Sequence, residues 1–280
     1  MKPGNSFEIF NTQRIKGPTS PATAIVLVAF GTTRPPALKL YASIDKLYRS
    51  HFPRHEIRWA FTSQMVRQKL NREGIHVDSP VDAAQKIQRD GYSRAVFQSL
   101  HVVPGQEFEK LHGVKVSGLH ITAGRPLLDT IGDIQKVSEL LLKSMATDEV
   151  VVFVTHGNEK FPRFNSELIQ LQQLLQQLKP NGFLCSVEGE PPGTSGLDDA
   201  KRLAQTSGRV TFVPLMIVDG VHIADDVMGK DANSWSSRVG AKQNLLRSPL
   251  GARTDMCELF VRHTRDALKR ATSIGRKRLL

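Results

Sequence analysis

Four side chains in this sequence combine useful chemistry with telling places in the chain: His156, His222, Glu188 and Glu107. His156 stands between Thr155 and Gly157, just past the apolar run Glu149 to Val154. Glycine there lets the backbone turn sharply and lets a ligand approach closely. A histidine at the end of a parallel strand points toward the crevice where open α/β sheets bind their ligands. His222 follows a second apolar run and the pair Asp219-Gly220, and it precedes Ala224 to Gly229, rich in acids and small residues. Glu188 ends a third run, Phe183 to Val187, with Glu190 and Pro191-Pro192 behind it. Carboxylates are rarely buried without a partner, so this glutamate either lines a cleft or opens an exposed loop. Imidazole and carboxylate together bind divalent first-row metals, and histidine is the usual proton acceptor near neutral pH.

These residues need elements to position them. Short apolar runs alternate with helix-like stretches, the pattern of a parallel sheet with crossover helices. Strands are expected at Ala24 to Phe30, Glu56 to Phe61, Arg94 to Val103 and Gly118 to Ala123, with helices around 37–50, 63–72 and 79–90. Ser79-Pro80 with Asp82 is a helix start, with serine as the cap and proline in the first turn. After a helix over Ile131 to Met145 the pattern restarts. Strands follow at Glu149 to Val154, Phe183 to Glu188 and Arg209 to Val218, and helices at Phe164 to Leu178, Leu197 to Gln205 and Asp255 to Arg270. His101 lies inside an expected strand and reads as a hydrogen-bonded core histidine. His51, His55, His76, His112, His120 and His263 show no partner pattern.

The restart is a repeat. Ala24 to Gly31 matches Val150 to Gly157, and VFQSLHVVPGQEFE (Val96 to Glu109) matches TFVPLMIVDGVHIA (Thr211 to Ala224). In that register Leu100 pairs with Leu215, Gly105 with Gly220 and Glu107 with His222. Two similar α/β units predict a duplicated protein, with a cleft between its lobes as the default site. The expected layout is an N-terminal arm over 1–22, one lobe over 23–146, a second over 147–272 and a basic tail over 273–280.

Composition narrows the function. The chain has 280 residues, two cysteines and a formal net charge of +11. Cys185 and Cys257 make neither a disulfide framework nor a zinc pair and read as reduced, packed thiols. No apolar run reaches the roughly 18 residues of a membrane span, and Met1 to Pro21 lacks the apolar core of a signal peptide. A cytoplasmic protein is expected, with no membrane association. The basic balance favours an anionic partner. Aromatic residues are only 6% of the chain and no RNA-binding module is visible, so no nucleic-acid partner is expected. There is no Walker loop, strand-linked GxGxxG, HExxH or GxSxG, so nucleotide-dependent, zinc-protease and serine-hydrolase chemistry is not indicated.

Six stretches, in order, resemble the anaerobic cobaltochelatases that act on sirohydrochlorin in cobalamin synthesis, within the class II chelatases that include ferrochelatase. They are VAFGTT (Val28 to Thr33), AFTSQMVRQKL (Ala60 to Leu70), QSLHVVPGQEFEKL (Gln98 to Leu111), VTHGN (Val154 to Asn158), SVEGEP (Ser186 to Pro191) and PLMIVDGVHIADDVMG with NSW (Pro214 to Gly229, Asn233 to Trp235). The chain departs from the family at Val221, where an Asp often stands, at Arg34-Pro35-Pro36, and at Gly113 and Gly118, which interrupt a segment the family tends to continue as a helix.

The resemblance implies an α/β fold of two similar flavodoxin-like lobes, each a parallel sheet flanked by helices, with the active-site cleft between them. It implies a lyase that inserts a divalent metal into a tetrapyrrole small-molecule substrate. His156, Glu188 and His222 match the family's metal-site residues, and Glu107 matches a first-lobe carboxylate implicated in the site. His156, His222 and Glu107 are the expected catalytic residues. Such a reaction removes two pyrrole protons and holds one partly desolvated metal ion; two imidazoles and a carboxylate suit Co(II), Fe(II), Ni(II) or Zn(II) without trapping them. The metal is a substrate, cobalt first among these, and no organic cofactor is expected. Arg34, Lys39 and Arg125 are candidates to pair with the carboxylates of the substrate. The alternative is a tetrapyrrole or metal-binding carrier that no longer catalyses insertion.

Overall fold

The computed structural model describes residue 10 and residues 23–277, with side chains to 273. The expected N-terminal arm, Phe10 apart, and the last three residues lie outside that range. The chain divides into two compact units, Met1–Pro126 with Cys257–Leu280, and Leu127–Met256.

In the first unit the elements run β1 (Thr23–Ala29), α1 (Pro35–His51), β2 (Ile57–Phe61), α2 (Gln64–Arg72), α3 (Pro80–Arg89), β3 (Arg94–Ser99), α4 (Gln106–His112) and β4 (His120–Gly124). All pair in parallel, in the order β2-β1-β3-β4. Every residue of β1 and β2 is buried, as expected of strands covered on both faces. Ala24, Val26 and Val28 pack on one face with Ala83, Ala84 and Ile87 of α3; strand alternation turns Ile25 and Leu27 to the other. Ser79 caps α3 in a full capping box with Asp82, the start read from the sequence.

The second unit repeats this plan: α5 (Ile131–Leu142), β5 (Val151–Thr155), α6 (Ser166–Leu178), β6 (Gly182–Ser186), α7 (Gly196–Ser207), β7 (Arg209–Pro214), α8 (Trp235–Val239) and β8 (Gln243–Leu246). Its sheet, again parallel, is ordered β6-β5-β7-β8. Both orders are of the flavodoxin-like kind. The repeat holds at the level of single bonds: Leu100 N–H donates to Val28 O and Leu215 N–H donates to Val154 O, each at 2.7 Å. Cys185 and Cys257 are buried and form no disulfide, and burial pushes the Cys185 thiol up to about 12.

The units are drawn differently from the sequence repeat. α5 belongs to the second unit, and most of α9 (Thr254–Lys277) belongs to the first. Because α9 runs to Lys277, much of the expected basic tail is helical. Two strands are shorter than the apolar runs suggested, with β3 stopping at Ser99 and β7 at Pro214. Among the described residues no helix is long and apolar enough to cross a membrane.

A buried polar chain ties α9 to the first unit. Gln98 donates through Nε2 to the carbonyls of Ser99 (2.7 Å) and Arg125 (2.8 Å). Its Oε1 accepts from Thr264 Oγ1 at 2.9 Å, and Tyr48 Oη lies 3.1 Å from the same hydroxyl. Gly124 leaves room for this amide, since a Cβ there would sit 2.1 Å from Gln98 Oε1. Thr264 is fully buried, so Thr264→Val strands two polar groups without changing the shape of the core. Urea unfolding should find the variant less stable by about 1–3 kcal/mol; an unchanged midpoint would show that the chain contributes nothing net.

Candidate metal centre

The second unit brings three of the expected site residues together by continuing its sheet past the strand ends. Beyond β5 and β6 the ladder goes on through Val187 N–H to Thr155 O (3.0 Å) and Glu188 N–H to His156 O (2.8 Å). Glu188 therefore lies two residues past the end of β6, not within the strand as the sequence suggested. The close approach requires glycine. Gly157 has φ 74°, and a Cβ on it would stand 2.0 Å from the Glu188 carbonyl oxygen. The loop after Glu188 is anchored by Ser186, whose Oγ donates to Gly189 O at 2.7 Å and accepts from Gly193 N–H at 2.9 Å.

The third side chain arrives from β7. After Pro214 the chain is held by Leu250 N–H to Met216 O (2.8 Å) and Gly251 N–H to Ile217 O (2.9 Å). It then enters a single π-helical turn, Ile223–Val227, with His222 as its first flanking residue. The two imidazole rings lie 5.0 Å apart, nearly perpendicular at 87°. Glu188 stands between them: Oε2 is 3.9 Å from His156 Nδ1 and Oε1 is 3.9 Å from His222 Nε2. One donor atom from each of the three falls within 4.8 Å of the others. A tetrahedral ion with bonds of about 2.1 Å wants donors about 3.4 Å apart, so small side-chain rotations would close the set. His156 is about half exposed, Glu188 nearly so and His222 less; an ion reaches such a site, and leaves it, without unfolding anything.

Over residues 23–269 the sequence matches a family model described as cobalt chelatase (CbiK). The chain belongs to the cobalt chelatase (CbiK) family. It is 31% identical over 230 residues to the sirohydrochlorin cobaltochelatase CbiKC of Nitratidesulfovibrio vulgaris Hildenborough, covering 78% of this chain and 79% of that one. It is 29% identical over 262 residues to the sirohydrochlorin cobaltochelatase of Salmonella typhimurium LT2, covering 89% and 97%. Among solved structures its fold is similar to that of SirB from Bacillus subtilis with Fe3+, at a TM-score of 0.61 and 14% identity, covering 90% and 97% of the two chains. It is likewise similar to CbiX, the terminal enzyme for siroheme biosynthesis in denitrifying bacteria, at a TM-score of 0.54 and 15% identity, covering 87% and 99%.

In this cobalt chelatase family member the first unit presents different groups at the equivalent places. Ser63 N–H donates to Phe30 O at 3.1 Å, so Phe30 and Ser63 occupy the positions of His156 and Glu188. Phe30 is half exposed. Glu107 is the second residue of α4; its Oε1 accepts from Lys110 Nζ at 2.5 Å, while its Oε2 is shielded from solvent with no hydrogen-bond partner among the described residues. His101 lies beyond the end of β3 rather than inside it. Its Nδ1 is 2.8 Å from Ser99 Oγ, and its Nε2 is shielded and unpartnered. Burial lowers His101 to about 4, against the opposing pull of the Glu107 charge. Arg34 flanks the start of α1, Lys39 lies on an exposed face of that helix, and the Arg125 carbonyl receives Gln98. The residue that the sequence pattern did not single out is Asp226, whose Oδ2 lies 2.7 Å from His222 Nδ1.

Two expectations follow. Gly157→Ala must move Glu188, so it should weaken Co(II) binding tenfold or more in a titration. Gly132→Ala, where a Cβ meets nothing closer than 3.9 Å, should leave binding unchanged. The second concerns His101. Between its ordinary 6.5 and about 4 the unfolded chain takes up a proton that the folded ring refuses, so this residue makes stability fall as pH drops through that window. Unfolding midpoints across that range should fall less steeply in His101→Gln; an equally steep fall would mean the ring is protonated in the fold.

Proposed function

We propose that the protein inserts Co(II) into sirohydrochlorin, releasing two protons to bases, as a step toward a cobalamin. The observation that carries this reading is the convergence of His156, Glu188 and His222 at strand ends in a chain of the cobalt chelatase family. Support for the tetrapyrrole comes from the two curated relatives, both sirohydrochlorin cobaltochelatases.

In this reading the metal is a substrate held by the two imidazoles and the Glu188 carboxylate. Borderline nitrogen donors with one carboxylate bind Co(II) firmly, while Fe(II), Ni(II) and Zn(II) are chemically acceptable to the same set. Pyrrole N–H groups are too weakly acidic to ionise unaided at neutral pH, so each proton needs an acceptor as the metal–nitrogen bonds form. One imidazole of the site takes one proton as it gives up the metal. Glu107 accepts or orients the other through its unpartnered Oε2. Arg34, Lys39 and Arg125 pair with substrate carboxylates. No organic cofactor enters the balance, since nothing is oxidised or reduced, and the protein acts in the cytoplasm.

Purified protein mixed anaerobically with sirohydrochlorin and Co(II) should convert many equivalents of the tetrapyrrole, followed by its visible absorption. The double variant His156→Ala, His222→Ala should lose turnover while keeping its melting temperature. A spectral change that stops near one equivalent of wild-type protein would replace the enzyme with a carrier. Turnover retained by the double variant would overturn the assignment of the histidines.

A further inference from the structure

The two histidines of the site are not held alike. His222 Nδ1 is engaged by the Asp226 carboxylate at 2.7 Å, and a different nitrogen, Nε2, faces Glu188. Among the described residues His156 has the carbonyl of its own neighbour, Gly157, 3.0 Å from Nδ1, and that same Nδ1 is the atom facing Glu188. A carboxylate can only accept a hydrogen bond when ionised. Asp226 therefore fixes the proton of neutral His222 on Nδ1 and leaves the lone pair on Nε2, pointed at Glu188. The Gly157 carbonyl can likewise only accept, so it draws the proton of neutral His156 to Nδ1, the very atom that faces Glu188. To bind an ion beside Glu188 through that atom His156 must give up this bond, whereas His222 binds through Nε2 with its Asp226 bond intact.

The local backbone makes this pairing. Met228 N–H donates to Ile223 O at 3.0 Å, the five-residue spacing of a π turn, a feature frequent at functional sites. Ile223 and Val227, four apart, are buried and pin the turn to the core of the second unit. His222 and Asp226, also four apart and one residue earlier, are then displayed together on the outer face. Gly229 closes the turn, for a Cβ there would stand 2.0 Å from Asp225 O.

We infer that Asp226 is a positioning residue that makes His222 the anchoring ligand of the metal and leaves His156 as the ligand that adjusts and releases. The inference rests on the reading of this site as a metal centre. Delivery of a metal to a macrocycle exchanges protein donors for ring nitrogens one after another, so a site with one fixed and one loosely held imidazole has a built-in order of release. Carboxylate partners of ligating histidines typically contribute 10–100-fold in metal affinity.

The test is a Co(II) titration of the whole chain without tetrapyrrole, read by the visible d–d bands of the bound ion. Wild type, Asp226→Ala, Asp226→Asn, His222→Ala and His156→Ala are compared. Asp226→Ala should weaken binding about 10–100-fold and alter the bands, with its melting temperature unchanged because Asp226 is half exposed. Asp226→Asn keeps an acceptor oxygen without the charge and should fall between; it also serves as the deciding variant should the alanine variant fold poorly. His222→Ala should lose more affinity than His156→Ala. Wild-type affinity and bands in both Asp226 variants, or equal losses in the two histidine variants, would overturn the inference while leaving the metal centre standing. Wild-type affinity in His222→Ala would instead remove the metal centre itself.

Discussion

The bond from Glu188 N–H to His156 O, 2.8 Å long and lying beyond the last residues of β5 and β6, sets what the second unit can offer a metal ion. It carries the parallel ladder past the strands, so a carboxylate and an imidazole leave neighbouring backbones at the same height. That spacing exists only because Gly157 has no side chain to meet the Glu188 carbonyl. The third donor depends on the same sheet, since Leu215 N–H donates to Val154 O at 2.7 Å and so fixes where the chain leaves β7 on its way to His222. The site is thus assembled at the carboxyl ends of adjacent strands, where the crossover helices leave room and where open α/β sheets place their ligands.

The duplication gives each unit the same scaffold with different side chains. Phe30, Ser63 and Glu107 stand in the first unit where His156, Glu188 and His222 stand in the second. Among the described residues the cluster of three candidate donors lies in one copy, while the other keeps an exposed aromatic ring and a single shielded carboxylate oxygen at the equivalent edge. An ion held by the three donors of this unit would keep at least one position for a further ligand. That is the property a delivery site needs, in contrast to a closed structural site with four protein ligands.

Much of this was legible in the sequence because buried parallel strands are continuous apolar runs and because the repeat fixes their register twice. The pairing of Leu100 with Leu215 in the repeat is an equivalence of hydrogen bonds in the fold. Strand ends were less legible. Apolar character continues past the last strand residues, through Leu100 in the first unit and Leu215 to Ile217 in the second, with Leu100, Leu215 and Ile217 buried by packing, so the runs overstate β3 and β7. β8 carries no apolar signature because Gln243–Leu246 is a short edge strand with no buried residue and a polar start. The π turn at Ile223–Val227 follows neither the helical nor the strand period, and in the sequence Asp226 is one of two adjacent acids in the run Ala224 to Gly229. Its role emerges only when Ile223 and Val227 are seen to be buried, which puts His222 and Asp226 side by side. The units also cut across the repeat, since α9 joins the first unit through Thr264 and Gln98, a pairing 166 residues apart in sequence that no local pattern carries.

The most direct test of the account is X-ray absorption at the cobalt edge of the protein loaded with one equivalent of Co(II). The arrangement of His156, His222 and Glu188 predicts a first shell containing two imidazole nitrogens, with the multiple-scattering signature of the rings, and at least one carboxylate oxygen, the imidazole signal falling by half in His222→Ala. A shell of oxygen donors alone, or one that is the same in wild type and His222→Ala, would contradict it.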